Sequence, residues 1–370
     1  MLTPKICLTI ALFVLPVPGK FTLLHVHVLH SGSIRQSSAQ EIAALKAKAE
    51  AGDAAAQLKL AHAYESGGGV PQDDALAAKW YRKAAEQGSA EAQDALGGKF
   101  LLGLGVDKNL EESVNWFHKS ARAGNAAAMY HLGVAYYNGD GVPINDSLSY
   151  AWFLLAKEAG NSAASAPVQR AEAELKPSTL AAGLESIAEM YEKGESLPEN
   201  QTEAARWWSL AADKGDRDAQ VSLAFKLINA QGVPQDLARA HHLCTDAAKD
   251  SNARAQYCLG YLSERGLGVN QDAKKARSWY TLAAEKGEKQ AMKALALMEA
   301  SGEGGKTDRV GAFLLEAKLA RADDLEALRA LAKFRKNLTP AEWQKLQKPL
   351  VNLRIDPAKL DSVLQKIPTT

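Results

Sequence analysis

From residue 52 onward, apolar and small residues recur every three or four positions, in runs broken by glycine. That spacing places them on one face of a helix. The runs themselves repeat. Trp80, Trp116 and Trp152 stand 36 residues apart, and Trp207 and Trp279 are 72 apart, with Leu243 midway and Leu315 following. A period of this size predicts stacked helix pairs, each unable to bury its apolar face alone. Seven units align, opening at Gly52, Gly88, Gly124, Thr179, Gly215, Ser251 and Gly287. The first helix of each carries a buried stripe centred on Leu60, Leu96, Leu132, Ile187, Leu223, Leu259 or Leu295. The second carries a small residue, then in five units an aromatic pair such as Trp80-Tyr81 or Trp116-Phe117, then small residues again. Small residues let two helices approach closely, and the aromatics fill the space between them.

The loops keep the same register. Within each unit, glycines two residues apart, such as Gly67 and Gly69, predict a left-handed exit from the first helix. Ala230 and Ser196 are the departures. Further on stand Asp73, Asn109, Asn145, Asn200, Asp236, Asp272 and Asp308, each expected to cap the second helix by accepting a backbone N–H. Glu112 and Glu203 occupy the position where a capping box takes an acid.

Residues 56–88, AQLKLAHAYESGGGVPQDDALAAKWYRKAAEQG, resemble a near-complete Sel-one-like repeat, a relative of the tetratricopeptide repeat. The resemblance covers residues 52–322 apart from a break at 160–178. It implies an all-α fold, a right-handed α-solenoid of about seven stacked antiparallel helix pairs. It also implies a non-catalytic protein–protein interaction scaffold or adaptor of the bacterial cell envelope, with the partner on the concave surface. The break reads as one helix stopped by Pro177, the first helix of an incomplete unit. The chain therefore divides into an apolar segment (1–39), three repeats plus a partial one (40–178), four repeats (179–322) and C-terminal capping helices (323–370). In the last part Thr339 and Glu342 form a capping box, Trp343 and Leu346 dock onto the final repeat, and a short helix begins near Asp356-Pro357.

In residues 1–39, Lys5 precedes an apolar run from Ile6 to Val17, and a second run spans Phe21 to Leu29. The first run suits a signal-peptide core and is short for a membrane span. Periplasmic or secreted localisation is expected. An inner-membrane anchor facing the periplasm, or a cytoplasmic chain with its start placed too far upstream, are the alternatives.

Composition removes several classes of chemistry. Lys+Arg 44 balances Asp+Glu 43, which argues against a nucleic-acid partner held by bulk charge. Three cysteines make neither a disulfide framework nor a zinc site. Gly305-Lys306-Thr307 ends a loose phosphate-loop pattern, but it follows a helix and falls in register with six other loops. His25, His27 and His30 have metal-like spacing in the segment expected to be removed, and His62 and His131 lie two repeats apart. No cofactor, metal ligand or catalytic residue is therefore assigned, and the chain reads as a monomer. A glycan or cell-wall polymer platform, or a penicillin-binding or β-lactamase-like enzyme, are the alternatives. The enzymatic association belongs to cysteine-rich relatives whose paired cysteines are largely absent here.

Advancing 100° per residue from Ala56 leaves Leu58, His62 and Glu65 opposite the core stripe, the side that is concave in related repeats. The equivalent residues are Tyr130, Val134 and Tyr137 in repeat three, and Glu185, Glu189 and Glu192 in repeat four. They are Val221, Phe225 and Ile228 in repeat five, and Tyr257, Tyr261 and Glu264 in repeat six. An apolar groove for a protein partner is expected on repeats five and six, continued toward repeat three, with an acidic band between. Cys244 and Cys258 each lie seven residues from Ser251 at the turn. They would stand at similar height in an antiparallel pair, Cys258 at the more exposed angle. Both a disulfide and two reduced thiols fit this placement.

Overall fold

The computed structural model describes residues 39–320 and 325–365, and among them no strand occurs. The expected signal segment, with Cys7 and the three closely spaced histidines, lies outside the described residues. Helix α1 spans Ala39–Glu50. Repeat one pairs α2 (Ala54–Ser66) with α3 (Asp74–Glu86), and repeat two pairs α4 (Ala90–Leu102) with α5 (Leu110–Arg122). Repeat three pairs α6 (Ala126–Asn138) with α7 (Asp146–Glu158). After a short 3-10 turn come α8 (Ser165–Glu174), then α9 (Pro177–Lys193) and α10 (Gln201–Asp213) of repeat four. Repeats five to seven are α11 (Arg217–Asn229) with α12 (Leu237–Lys249), α13 (Ala253–Arg265) with α14 (Ala273–Glu285), and α15 (Lys289–Ser301) with α16 (Arg309–Leu319). The chain closes with α17 (Leu325–Lys336), α18 (Pro340–Asn352) and α19 (Pro357–Leu364).

Two compact units divide the chain, one running to Trp207 and the other starting at Trp208. In each, a helix packs mainly on its neighbours in the chain, the arrangement of an α-solenoid. In the first unit α7 packs on α9 as well as on α8, so α8 is an insertion beside the stack. Pro177 does not merely stop the helix before it: α8 ends at Glu174, and Pro177 opens α9 at its first position, where the missing N–H costs nothing.

All seven expected Asp and Asn residues cap their helices. Asn109 Oδ1, for instance, accepts the Glu112 N–H at 3.0 Å, and Asn200 accepts the Glu203 N–H at 3.1 Å. The Glu203 side chain turns instead to Arg206. The reciprocal box does form at Thr339 and Glu342. Ala230 adopts the left-handed exit of the other repeats at φ 54°, a conformation that costs an L-residue about 1–2 kcal/mol. Gly105 has a second reason to be glycine. A Cβ there would stand 2.0 Å from the Asp74 carbonyl oxygen, so its loop lies against the backbone at the start of the preceding second helix.

The core follows the register. Leu60, Leu96, Leu132 and Ile187 of the first unit are fully buried, and Leu223, Leu259 and Leu295 of the second are nearly so. The second aromatics, Phe117, Phe153 and Tyr280, press on Gly97, Gly133 and Gly260, where any Cβ would come within 2.6 Å of the ring. At the C-terminus, Leu346 is buried in one cluster with Phe313 and Leu331, and Trp343 meets Phe313 edge to face at 5.5 Å. Ahead of repeat one, α1 packs on α2 as second helices pack on the next first helix. Gln57 donates to the Ala49 carbonyl just as Gln93 donates to that of Ala85, both at 3.0 Å.

Candidate functional site

Each first helix buries its leucine stripe and one flank, which leaves a face for other contacts. In the second unit that face is aromatic. Phe225 on α11 and Tyr257 and Tyr261 on α13 form a triangle with ring centroids 6.0–6.4 Å apart. All three are half-buried. Tyr280 supports them from α14, 5.7 Å from Tyr257, and donates its hydroxyl to Glu264 at 2.6 Å. Burial first, and then the Glu264 carboxylate, push the Tyr280 hydroxyl far above the ordinary tyrosine range. Arg265 lies over the Tyr261 ring at 4.9 Å. One repeat on, Leu297 occupies the place held by Phe225 and Tyr261, and it is 64% exposed. By register the three hold equivalent positions on successive first helices α11, α13 and α15, and define a row. Tyr261, Glu264 and Arg265 also line an open cleft with Asn229, Gln271 and Glu303.

In repeats one and two of the first unit the same face is polar. Tyr81 donates to Glu65 Oε2 at 2.6 Å, the counterpart of the Tyr280–Glu264 pair. Lys99 of the next repeat, only 3% exposed, holds Glu65 Oε1 at 2.9 Å and Asp74 at 2.7 Å. His62 places Nδ1 2.8 Å from the Tyr81 oxygen and Nε2 3.0 Å from Glu91 Oε1. Tyr81 has one proton, and it goes to Glu65. Nδ1 must then donate to the phenol oxygen, and Nε2 must donate to the Glu91 carboxylate. Only the imidazolium satisfies both contacts. The Glu65 carboxylate raises the His62 pKa against the cost of burial, with Glu91 adding to the effect. Burial pushes Glu65 up, but the nearby His62 together with the hydrogen bonds from Lys99 and Tyr81 outweighs that and holds it far below the carboxylate range.

The residues expected on this face divide by depth. Val134, Val221 and Ile228 are buried, at 1%, 0% and 4% exposure. Tyr130 is half-buried against Phe153, and Tyr137 lines a cavity of about 50 Å³ with Pro167 and Arg170 of α8. Glu189 is exposed and paired with Lys193 at 2.7 Å, while Glu185 and Glu192 are half-buried. Cys244 and Cys258 are joined as a disulfide between α12 and α13, with Cα atoms 6.1 Å apart. Both are fully buried, so Cys258 does not sit at an exposed angle. Cys244 occupies the place of the second aromatic, and the bond stands where other repeats put a ring. Among the described residues no group of three potential metal ligands converges.

Repeat length, caps, glycine exits and paired aromatics together match one family model, the Sel1 repeat, over residues 54–89, 90–125, 126–161, 181–216, 217–252 and 253–288. The chain belongs to the Sel1 repeat family. Sel1 repeat proteins serve generally as non-catalytic scaffolds for protein–protein interaction. The chain is similar to a protective antigen of uropathogenic Escherichia coli with an SLR fold. That similarity is 27% identity over 88% of this chain and 72% of the other, with a TM-score of 0.44. It is also similar to a Sel1 repeat protein from Oxalobacter formigenes, at 29% identity over 66% of this chain and 90% of the other, with a TM-score of 0.32. No curated protein matches the chain.

The seventh helix pair lies outside the six matched Sel1 repeats, yet α15 and α16 keep the Asp308 cap and the left-handed Gly302. Its place in the register was the signal for Leu297. The His62 network was harder to find, because its members come from two consecutive Sel1 repeats. The shared positions of Glu65 with Glu264, and of Tyr81 with Tyr280, were the available sign.

Proposed function

We propose that the chain is a non-catalytic scaffold that holds a protein partner on the first-helix face of repeats five to seven. The observation that carries this is the Phe225–Tyr261–Leu297 row, with Leu297 64% exposed at a position where its counterparts in repeats five and six are half-buried aromatics. Contiguous apolar surface of this kind marks an interface more often than scattered apolar residues do. We further propose that the scaffold works in the periplasm or outside the cell. The apolar run after Lys5 and the Cys244–Cys258 bond support export, because reducing compartments keep such thiols apart.

Both parts are tested in the native source. A photocrosslinking residue at position 297 is expected to give discrete protein adducts that Tyr261→Ala removes. The same residue at position 282, exposed on the second helix α14, is expected to give none of them. Equal adducts from both positions, or none from 297, would reject the face. Acid-quenching the cells and then alkylating under denaturing conditions without reductant is expected to leave Cys244 and Cys258 unmodified, and their modification would reject the oxidising compartment.

A further inference from the structure

We propose that the partner presents an extended segment with apolar side chains at alternate positions and carboxylates along one edge. This rests on the reading of the face given above. The shape of the row supplies the first argument. The Phe225 and Tyr261 rings are 6.2 Å apart, close to the roughly 6.6–6.8 Å between alternate residues of an extended chain. Alternate side chains of such a chain point the same way, so successive apolar residues can seat against successive members of the row. The row crosses three first helices, as an extended segment laid along the stack would do.

Charge supplies the second argument. On one edge of the row stand Arg254, at the start of α13 and 47% exposed, and Lys293, one turn before Leu297 on α15. Arg254 reaches over the preceding helix toward Asp218 at 3.7 Å and Ser222 at 3.4 Å, so it lies beside the aromatic triangle. The opposite edge carries Glu264 and Glu303 as well as Arg265. Lys293 and Arg254 favour carboxylates on their shared edge, although Asp218 and Glu288 offset part of that charge, while Glu264 and Glu303 oppose them on the other. The second unit as a whole has 26 basic and 20 acidic residues, against 18 and 23 in the first. That excess would speed the approach of an acidic segment.

A glycan fits the face less well. Sugar stacking needs an open, flat ring face, whereas these rings tilt by 31–59° and pack on one another. The row then continues into Leu297, which has no ring.

The test is selection of random peptides displayed on phage against the full chain, followed by fluorescence anisotropy of the best labelled peptide. Enriched sequences are expected to carry alternate apolar residues and at least one Asp or Glu. Replacing those acids by Asn or Gln is expected to weaken binding about tenfold. Lys293→Glu should do the same, and Leu297→Asp should abolish binding. Both positions are exposed, so both variants should fold, with circular dichroism as the check. If Leu297→Asp abolishes binding while the neutral peptides and Lys293→Glu bind unchanged, the acidic complement is wrong and the face stands. If Leu297→Asp has no effect, the face itself is wrong. Failure to enrich any peptide, with saturable binding of glycans on an array, would overturn the proposal in favour of sugar recognition.

Discussion

At the scale of single residues, the most informative is His62. It bonds Tyr81 within repeat one and Glu91 of repeat two, both only while the ring is charged, and its pKa is raised above the ordinary 6.5. A base whose pKa is raised by folding contributes stability that is fully present below the unfolded value and is lost as pH rises through the folded value. The chain should therefore lose stability between pH 6 and the alkaline side of the raised pKa, relative to His62→Gln, which cannot titrate. The side chain is 45% exposed, so screening keeps the effect under about 1 kcal/mol. Denaturant unfolding of both forms across that range is the measurement. Parallel curves would show that the ring is neutral and that the proton count above is mistaken. Residue identity alone did not disclose this. A histidine on a free helix face reads as a surface group, and its meaning depends on where Glu91 stands in the next repeat.

At the scale of the helix, local and non-local determinants separate cleanly. The caps were legible in the sequence, because a cap is a bond between residues three apart, which the chain carries with it. The left-handed exits were legible for the same reason, and Ala230 kept the conformation without the glycine. The depth of the first-helix face was not legible. A helical wheel gives an angle, and burial at that angle depends on how closely the neighbouring first helix approaches. Val221 and Phe225 share the face, yet one is fully buried and the other half-buried. Helix α1 was missed because it has no aromatic pair, although Gln57 already implied a carbonyl for it to bind. Helix α5 allows local and packing terms to be compared in one element. Asn109→Ala removes its cap and should cost about 0.5–2 kcal/mol. Trp116→Ala removes a side chain 5% exposed that also carries Lys119 over its ring at 3.8 Å, and should cost about 3–5 kcal/mol. Equilibrium unfolding in urea ranks the two. A cap variant less stable than the tryptophan variant would mean that α5 is held by its end and not by its packed face.

At the scale of the molecule, the stack has no single centre. Its clusters follow one another along the chain, and a local change should be felt most by adjacent helices. The Cys244–Cys258 bond offers a way to see this in the second unit. It closes a loop with a sequence separation of 14 residues, for which loop-closure entropy gives about 3 kcal/mol. It also stands in place of the second aromatic of repeat five, so its loss leaves that repeat with neither a ring nor a bond at the join between α12 and α13. Refolding the chain in reductant keeps both sulfurs and their volume while removing the constraint. Hydrogen exchange should then show the largest loss of protection in α12 and α13, a smaller loss in α11 and α14, and the least in α18 and α19. The capping helices have their own cluster around Phe313, Leu331 and Leu346, remote in the stack from the cysteines, and that cluster keeps its contacts. Equal loss of protection from α11 through α19 would show that the second unit opens as one body, with coupling that reaches well beyond adjacent repeats.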